Sequence, residues 1–193
     1  MLIPGKSHQT SVCADPLRTP LQERELLRDL ARQAEQEVIG VQMASMDELT
    51  LLSNQHGFIA LAQLGLNVCQ QLGRPATLLF FNLDDFKRIN YLFGRAEGDD
   101  ALKTFADVLR IGFRENDVIG RLQGATFAAL LTGTGTVDIK AIKVRLEEML
   151  DERNATVHRG YDIRFGIGQI EYDSVLHGSI EVLLAEAQTV LRR

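Results

Sequence analysis

An α+β domain is what this sequence predicts, on three observations. ATLLFFNL at 76–83 is a continuous apolar run after the breaker Gly73-Arg74-Pro75, the mark of a buried central strand. RLQGATFAALL at 121–131 reads as strand, tight turn and strand, within a hairpin occupying about 117–133. Helical patterns separate and follow these strands, so the order over 46–193 is strand, helix, hairpin, helix, strand, helix. That order gives a βαββαβ core, an antiparallel sheet of the ferredoxin-like, palm-like kind flanked by helices and preceded by an N-terminal helix.

Along the chain, residues 1–20 hold three of the four prolines and show no periodicity, so a disordered leader is expected there. PGKS at 4–7 imitates a phosphate loop, but that motif needs a glycine five residues before Gly5, ahead of the first residue. Over 21–45, Leu27, Leu30, Ala34, Val38 and Val41 recur every three or four residues and form one apolar stripe on a charged rod. This helix either packs on its own domain or pairs two copies as a short stalk, although Glu37 interrupts a strict seam. A helix from about Asn54 to Leu72 leads into the first strand. A short helix around Phe86–Phe93 follows that strand, and a longer one runs from about Asp99 to Phe113. After the hairpin come a helix over 137–153, strand YDIRFGIGQI over 161–170, and a last helix starting near Ser179.

Composition narrows the function classes. With 193 residues, 45% hydrophobic and 24% charged, the chain suffices for one domain with a real core plus an extension. A net charge of −5 supplies no positive field for a polyanion, which argues against nucleic acid as a partner. No apolar run approaches the roughly 18 to 20 residues of a membrane span, and the first residues lack a signal-peptide core, so a cytoplasmic protein is expected. Cys13 and Cys69 fit neither a disulfide framework nor a zinc site and are read as thiols. His8, His56, His158 and His177 are scattered without ligand spacing.

The end of the first strand, Asn82-Leu83-Asp84-Asp85, and the hairpin tip at 123–126 belong to strands that are neighbours in this topology. A palm of this kind holds a divalent cation between carboxylates of two such loops, and the metal grips a nucleoside triphosphate. Here the tip is Gln123-Gly124-Ala125-Thr126, without a charged group. Around it stand DELTLLSNQ at 47–55, NLDDFKRINYLFGRAEGDDAL at 82–102, RLQGATF at 121–127 and FGIG at 165–168. These stretches resemble the GGDEF domains, diguanylate cyclases that condense two GTP into cyclic di-GMP. The family pattern reads D-x-L-T-G-L-x-N-R, then D-x-D-x-F-K-x-x-N-D-x-x-G-H-x-x-G-D-x-x-L, then R-x-G-G-D-E-F and S-I-G. Phe86, Lys87, Asn90, Gly94, Gly98, Asp99 and Leu102 fall on its positions without a gap, and the resemblance covers about 46–193.

The resemblance implies Mg²⁺ on the first aspartate of D-x-D and on the signature glutamate. Those degenerate positions are Asn82 and Thr126 here, and the signature aspartate is Ala125, so no catalytic carboxylate set and no metal site are expected. Neutral oxygens do not offset the partial dehydration of Mg²⁺. Family members also close on a lysine and an arginine that hold phosphates, where this chain reads Ala187-Gln188-Thr189-Val190-Leu191-Arg192-Arg193. No cofactor is expected, with Mg²⁺ implied only if the chain is an active cyclase.

Asn90 and Asp99 match the family's guanine-reading pair, an amide and a carboxylate that suit the donor and acceptor edge of guanine; both are equally readable as helix caps. Lys87 matches a lysine near the phosphates, or is a solvated charge. Arg114-Glu115-Asn116-Asp117 lies five residues before the signature, where the family's inhibitory R-x-x-D site binds cyclic di-GMP, and Arg145 is a candidate second arginine. The bland alternative is a surface Arg–Asp pair. Three readings follow: a silent domain that binds cyclic di-GMP as receptor or regulator, an active or weak diguanylate cyclase, and a nucleotide-independent scaffold. The expected partners are cyclic di-GMP, weakly bound GTP, and a protein or second copy engaged through the N-terminal helix.

Overall fold

A computed structural model describes residues 20–133 and 136–190. The expected leader up to residue 19, Cys13, His8, Arg192 and Arg193 lie outside the described residues. Two compact units divide the chain, Met1–Gln42 and Met43–Arg193. In the first, helix α1 (Pro20–Ala44) exposes Leu27 and Leu30 of the predicted stripe.

The second unit is a four-stranded antiparallel sheet with helices on both faces. Its elements are α2 (Gln55–Leu72), β1 (Ala76–Leu83), α3 (Phe86–Phe93), α4 (Arg95–Gly112), β2 (Val118–Arg121), β3 (Thr126–Thr132), α5 (Ile139–Thr156), β4 (Phe165–Glu171) and α6 (Ile180–Val190). The strand order is β2-β3-β1-β4. Central β1 is apolar over 78–81 because both its faces are covered there. Leu79, Phe81 and Leu83 pack with Phe105, Phe127, Leu146 and Phe165 beneath α4 and α5. Leu78 and Phe80 pack with Phe58, Leu66, Ile180 and Leu183 beneath α2 and α6.

Local chemistry sets the boundaries. Asn54 caps α2 by accepting from the Gly57 amide at 2.9 Å, and Gly73 ends it in the left-handed region at φ 61°. The sequence places the start of the longer helix at about Asp99, but α4 begins at Arg95. Gly94, at φ 91°, is both the last cap of α3 and the first of α4, so one residue makes the corner. Gly98 lies inside α4, where a Cβ would sit 1.9 Å from Asn90 Oδ1. Strand β4 begins four residues later than the pattern suggests. Asn154 on α5 replaces a sheet neighbour, with Oδ1 accepting from the Ile163 amide at 3.0 Å and Nδ2 donating to its carbonyl at 3.2 Å. Cys69 is a buried free thiol. No described helix is long and apolar enough to cross a membrane.

Candidate functional site

Register brings the two predicted loops together. β1 and β3 pair antiparallel with Asn82 opposite Thr126, and the Leu83 amide donates to the Ala125 carbonyl at 3.1 Å. The Thr126 hydroxyl donates to Asn82 Oδ1 at 3.4 Å. The hairpin turns through Gly124 at φ 56°, a left-handed position that favours glycine. Asp84 is exposed two residues after Asn82, and its amide donates to the Arg164 carbonyl at 2.9 Å. Three neutral side chains thus occupy the degenerate positions, two of them hydrogen-bonded to each other.

Signature residue Arg121 turns the other way. Its Nη1 donates to both Asp47 oxygens, at 3.1 and 3.2 Å, and its Nε donates to the Gly124 carbonyl at 3.0 Å. Asp47 also accepts from the Thr50 amide at 2.9 Å and from its hydroxyl at 2.7 Å, and Arg110 donates to the Thr50 carbonyl at 2.9 Å. This clasp ties the segment before α2 to the hairpin tip, and motif matching alone assigns it no role. Burial pushes the Asp47 carboxyl up, but the Thr50 and Arg121 donors outweigh it and hold the group below its ordinary value. A depressed carboxyl contributes stability that is present above its unfolded pKa, near 3.9, and is lost as pH falls through the lower folded value. Asp47→Asn is expected to cost about 1–3 kcal/mol at neutral pH by urea denaturation. Its deficit should shrink as pH falls below about 4.

On α3, Lys87 is exposed. Asn90 is half-buried and lies against Gly98, the residue before Asp99, and its Oδ1 has no hydrogen-bond partner among the described residues. Neither side chain caps a helix: Asp85 and Gly94 hold the N-cap positions of α3 and α4, and Asp99 lies inside the first turns of α4. The capping alternative for this pair therefore does not hold.

At the corner between α4 and β2, the Arg114 amide donates to Asp117 Oδ2 at 2.9 Å, and the Asp117 amide returns a bond to the Arg114 carbonyl at 3.0 Å. The Arg114 side chain is exposed, and no ion pair joins it to Asp117. From α5, Arg145 Nη2 donates to the carbonyl of Gly112, two residues before Arg114. The close approach behind this bond needs Gly112, where a Cβ would lie 2.6 Å from Leu146. Arg145 on α5 is thus fastened to the end of α4, two residues ahead of the turn that carries Arg114 and Asp117.

The family model described as diguanylate cyclase, GGDEF domain, matches residues 44–193. The chain belongs to the GGDEF family. Its GGDEF domain is 32% identical over 109 residues to the probable diguanylate cyclase DgcC of Escherichia coli (strain K12), a match covering 56% of this chain and 29% of that protein. It is 33% identical over 111 residues to the cyclic di-GMP phosphodiesterase NbdA of Pseudomonas aeruginosa, covering 58% of this chain and 14% of that one. The chain thus spans less than a third of the length of these curated relatives. Among solved structures, the coiled coil and GGDEF domain of DgcB from Caulobacter crescentus, in complex with c-di-GMP, superposes with a TM-score of 0.67 at 22% identity, over 80% of this chain and 84% of that one. That likeness bears on the fold alone.

The metal that the GGDEF family implies is tested by the donor set. Asn82 and Thr126 offer an amide and a hydroxyl engaged with each other, and Asp84 supplies the one carboxylate among the aligned metal positions. Among the described residues no group of three histidines, cysteines or carboxylates is placed to hold an ion. Mg²⁺ takes several anionic or strongly polar oxygens in octahedral array, and these residues do not fit it.

Proposed function

We propose that this GGDEF domain is catalytically silent and works by binding cyclic di-GMP at the corner of Arg114, Asp117 and Arg145, as a receptor or regulator. One contrast supports the reading: a neutral, internally bonded Asn82–Thr126 pair stands where nucleotide condensation needs anions, while Arg114 keeps an exposed side chain next to a turn closed on Asp117. Chemically, exposed Arg114 is suited to fork a phosphate or stack on a purine face. The second Asp117 oxygen is available to accept from guanine N–H groups, since Oδ2 serves the Arg114 amide. Arg145 would exchange the Gly112 carbonyl for a ligand phosphate, a stronger, charge-assisted acceptor.

Calorimetric titration of cyclic di-GMP into the protein tests this. Saturable heat is expected, with Arg114→Ala weakening affinity about 10- to 150-fold, the equivalent of one charge-assisted hydrogen bond of about 1.5–3 kcal/mol. Binding at a hundred times Kd should also add about 2.7 kcal/mol of stability, visible as a raised Tm. No heat and an unchanged Tm with cyclic di-GMP, GTP and GDP would instead leave the scaffold reading.

A further inference from the structure

Two internal segments of the second unit enclose a cavity of about 370 Å³ that the nucleotide-binding reading does not use. One wall is the face of α3 that carries Asp85, Arg88, Ile89, Leu92 and Phe93, and the other is the run before β4, with Tyr161 and Arg164. Residues three and four apart share a helix face, so 85, 88, 89 and 92 lie together. Lys87 and Asn90, on the other side of α3, do not line the cavity. The wall opposite α3 is fixed in place. The Tyr161 hydroxyl donates to the Glu97 carbonyl at 2.9 Å, and its ring centroid lies 4.9 Å from that of Phe93. Arg164 Nη1 donates to Asp151 at 2.9 Å and Nη2 to Asp162 at 3.3 Å, so this guanidinium is already engaged.

On the α3 wall two opposite charges stand without partners. Asp85, at φ 51° in the left-handed region, makes no side-chain capping bond to α3, and the Arg88 side chain has no hydrogen bond or ion pair among the described residues. They are three positions apart, the spacing at which a carboxylate and a guanidinium on a helix pair with each other, yet no ion pair joins them. The Asp84 carboxylate, also lining the cavity, is likewise unpaired. Beside these charges is an apolar shelf: Ile89 is buried, and Leu92 and Phe93 are half-exposed.

We propose that this cavity binds a free α-amino acid with an apolar side chain. Such a ligand carries its ammonium and carboxylate on one carbon, so the two charges bridge unpaired groups on one turn of α3. The ammonium would meet the Asp84 and Asp85 carboxylates, and the carboxylate would take the Arg88 fork. Its side chain would then lie on Ile89, Leu92 and Phe93, with the Tyr161 ring across from them. Size agrees: ligand pockets span about 300–1,000 Å³, and this one, at the small end, suits a single-ring ligand. A neutral nucleobase would meet the same groups with dipoles only, whereas a zwitterion answers both charges with charges of its own.

The test is calorimetric titration of L-phenylalanine into the full chain, with phenylpropionate, phenethylamine, glycine and guanosine as comparisons. Saturable heat at millimolar phenylalanine is expected, and none from glycine or guanosine. Phenylpropionate lacks the ammonium and phenethylamine the carboxylate, so each should bind about two- to fivefold more weakly. Arg88→Ala should weaken phenylalanine by a similar factor and leave phenethylamine unchanged. Asp85→Asn, which keeps a residue tolerant of left-handed backbone, should weaken phenylalanine and leave phenylpropionate unchanged. Both variants are expected to melt with the parent when no ligand is present. Absence of saturable heat with phenylalanine, equal binding of the two analogues and phenylalanine, or indifference to both substitutions would overturn the proposal. So would guanosine heat that Arg88→Ala removes, since the occupant would then be a base.

Discussion

Incubated with GTP and either Mg²⁺ or Mn²⁺, the chain is expected to form no cyclic di-GMP above background, read by chromatography of the nucleotide products. The argument is electrostatic. Joining two triphosphates concentrates negative charge around the attacked phosphorus, and a divalent ion neutralises it when carboxylates hold that ion in place. At the paired ends of β1 and β3, Asn82 and Thr126 contribute only dipoles, and these are turned toward each other. If ion anchoring is worth about 4 kcal/mol in the transition state, its loss slows turnover roughly a thousandfold. The combined variant Asn82→Asp, Ala125→Asp, Thr126→Glu is expected to gain Mn²⁺ binding in the presence of GTP, measured calorimetrically, where the parent shows none. Turnover by the parent at the rate of a carboxylate-bearing relative would refute this account.

The sequence makes the sheet legible because β1 has a distinctive environment: buried on both faces, it reads as an unbroken apolar run, and its bounds emerge at 76–83. The hairpin is equally plain, since Gly124 must adopt a left-handed conformation between two apolar stretches. Where tertiary contacts replace local signals, the reading slips. The longer helix reads as starting near Asp99, yet the corner at Gly94 starts it at Arg95, and four residues before β4 look like strand, yet a side-chain amide from α5 takes both backbone hydrogen bonds of Ile163. At the site, chain order and family register sufficed to place Asn82 against Thr126. Arg121 was different: its place in the signature says nothing of its partner, and only its bond to Asp47, 74 positions away in the chain, reveals a fastening for the tip. Nothing local in either segment announces that pairing.

Phe105→Ala is expected to be among the most damaging single substitutions, costing about 3–5 kcal/mol in urea denaturation. The ring is fully buried and touches three others, with centroids 5.9 Å from Phe81, 5.1 Å from Phe127 and 5.2 Å from Phe165. These three come from β1, β3 and β4, so one α4 side chain knits the strands whose ends carry Asn82 and Thr126. Truncation removes the transfer energy of the ring and leaves a cavity that a sheet on one side and α5 on another cannot collapse to fill. Against a typical domain stability of about 5–15 kcal/mol, that is a large share. Phe93→Ala supplies the contrast: that ring is 40% exposed and pairs with one other ring, Tyr161, at 4.9 Å, so about 0.5–1.5 kcal/mol is expected. Comparable losses at the two positions would mean that the packing beneath α4 is not what holds β1, β3 and β4 in register. The juxtaposition of Asn82 and Thr126, on which the argument for catalytic silence depends, would then need another cause.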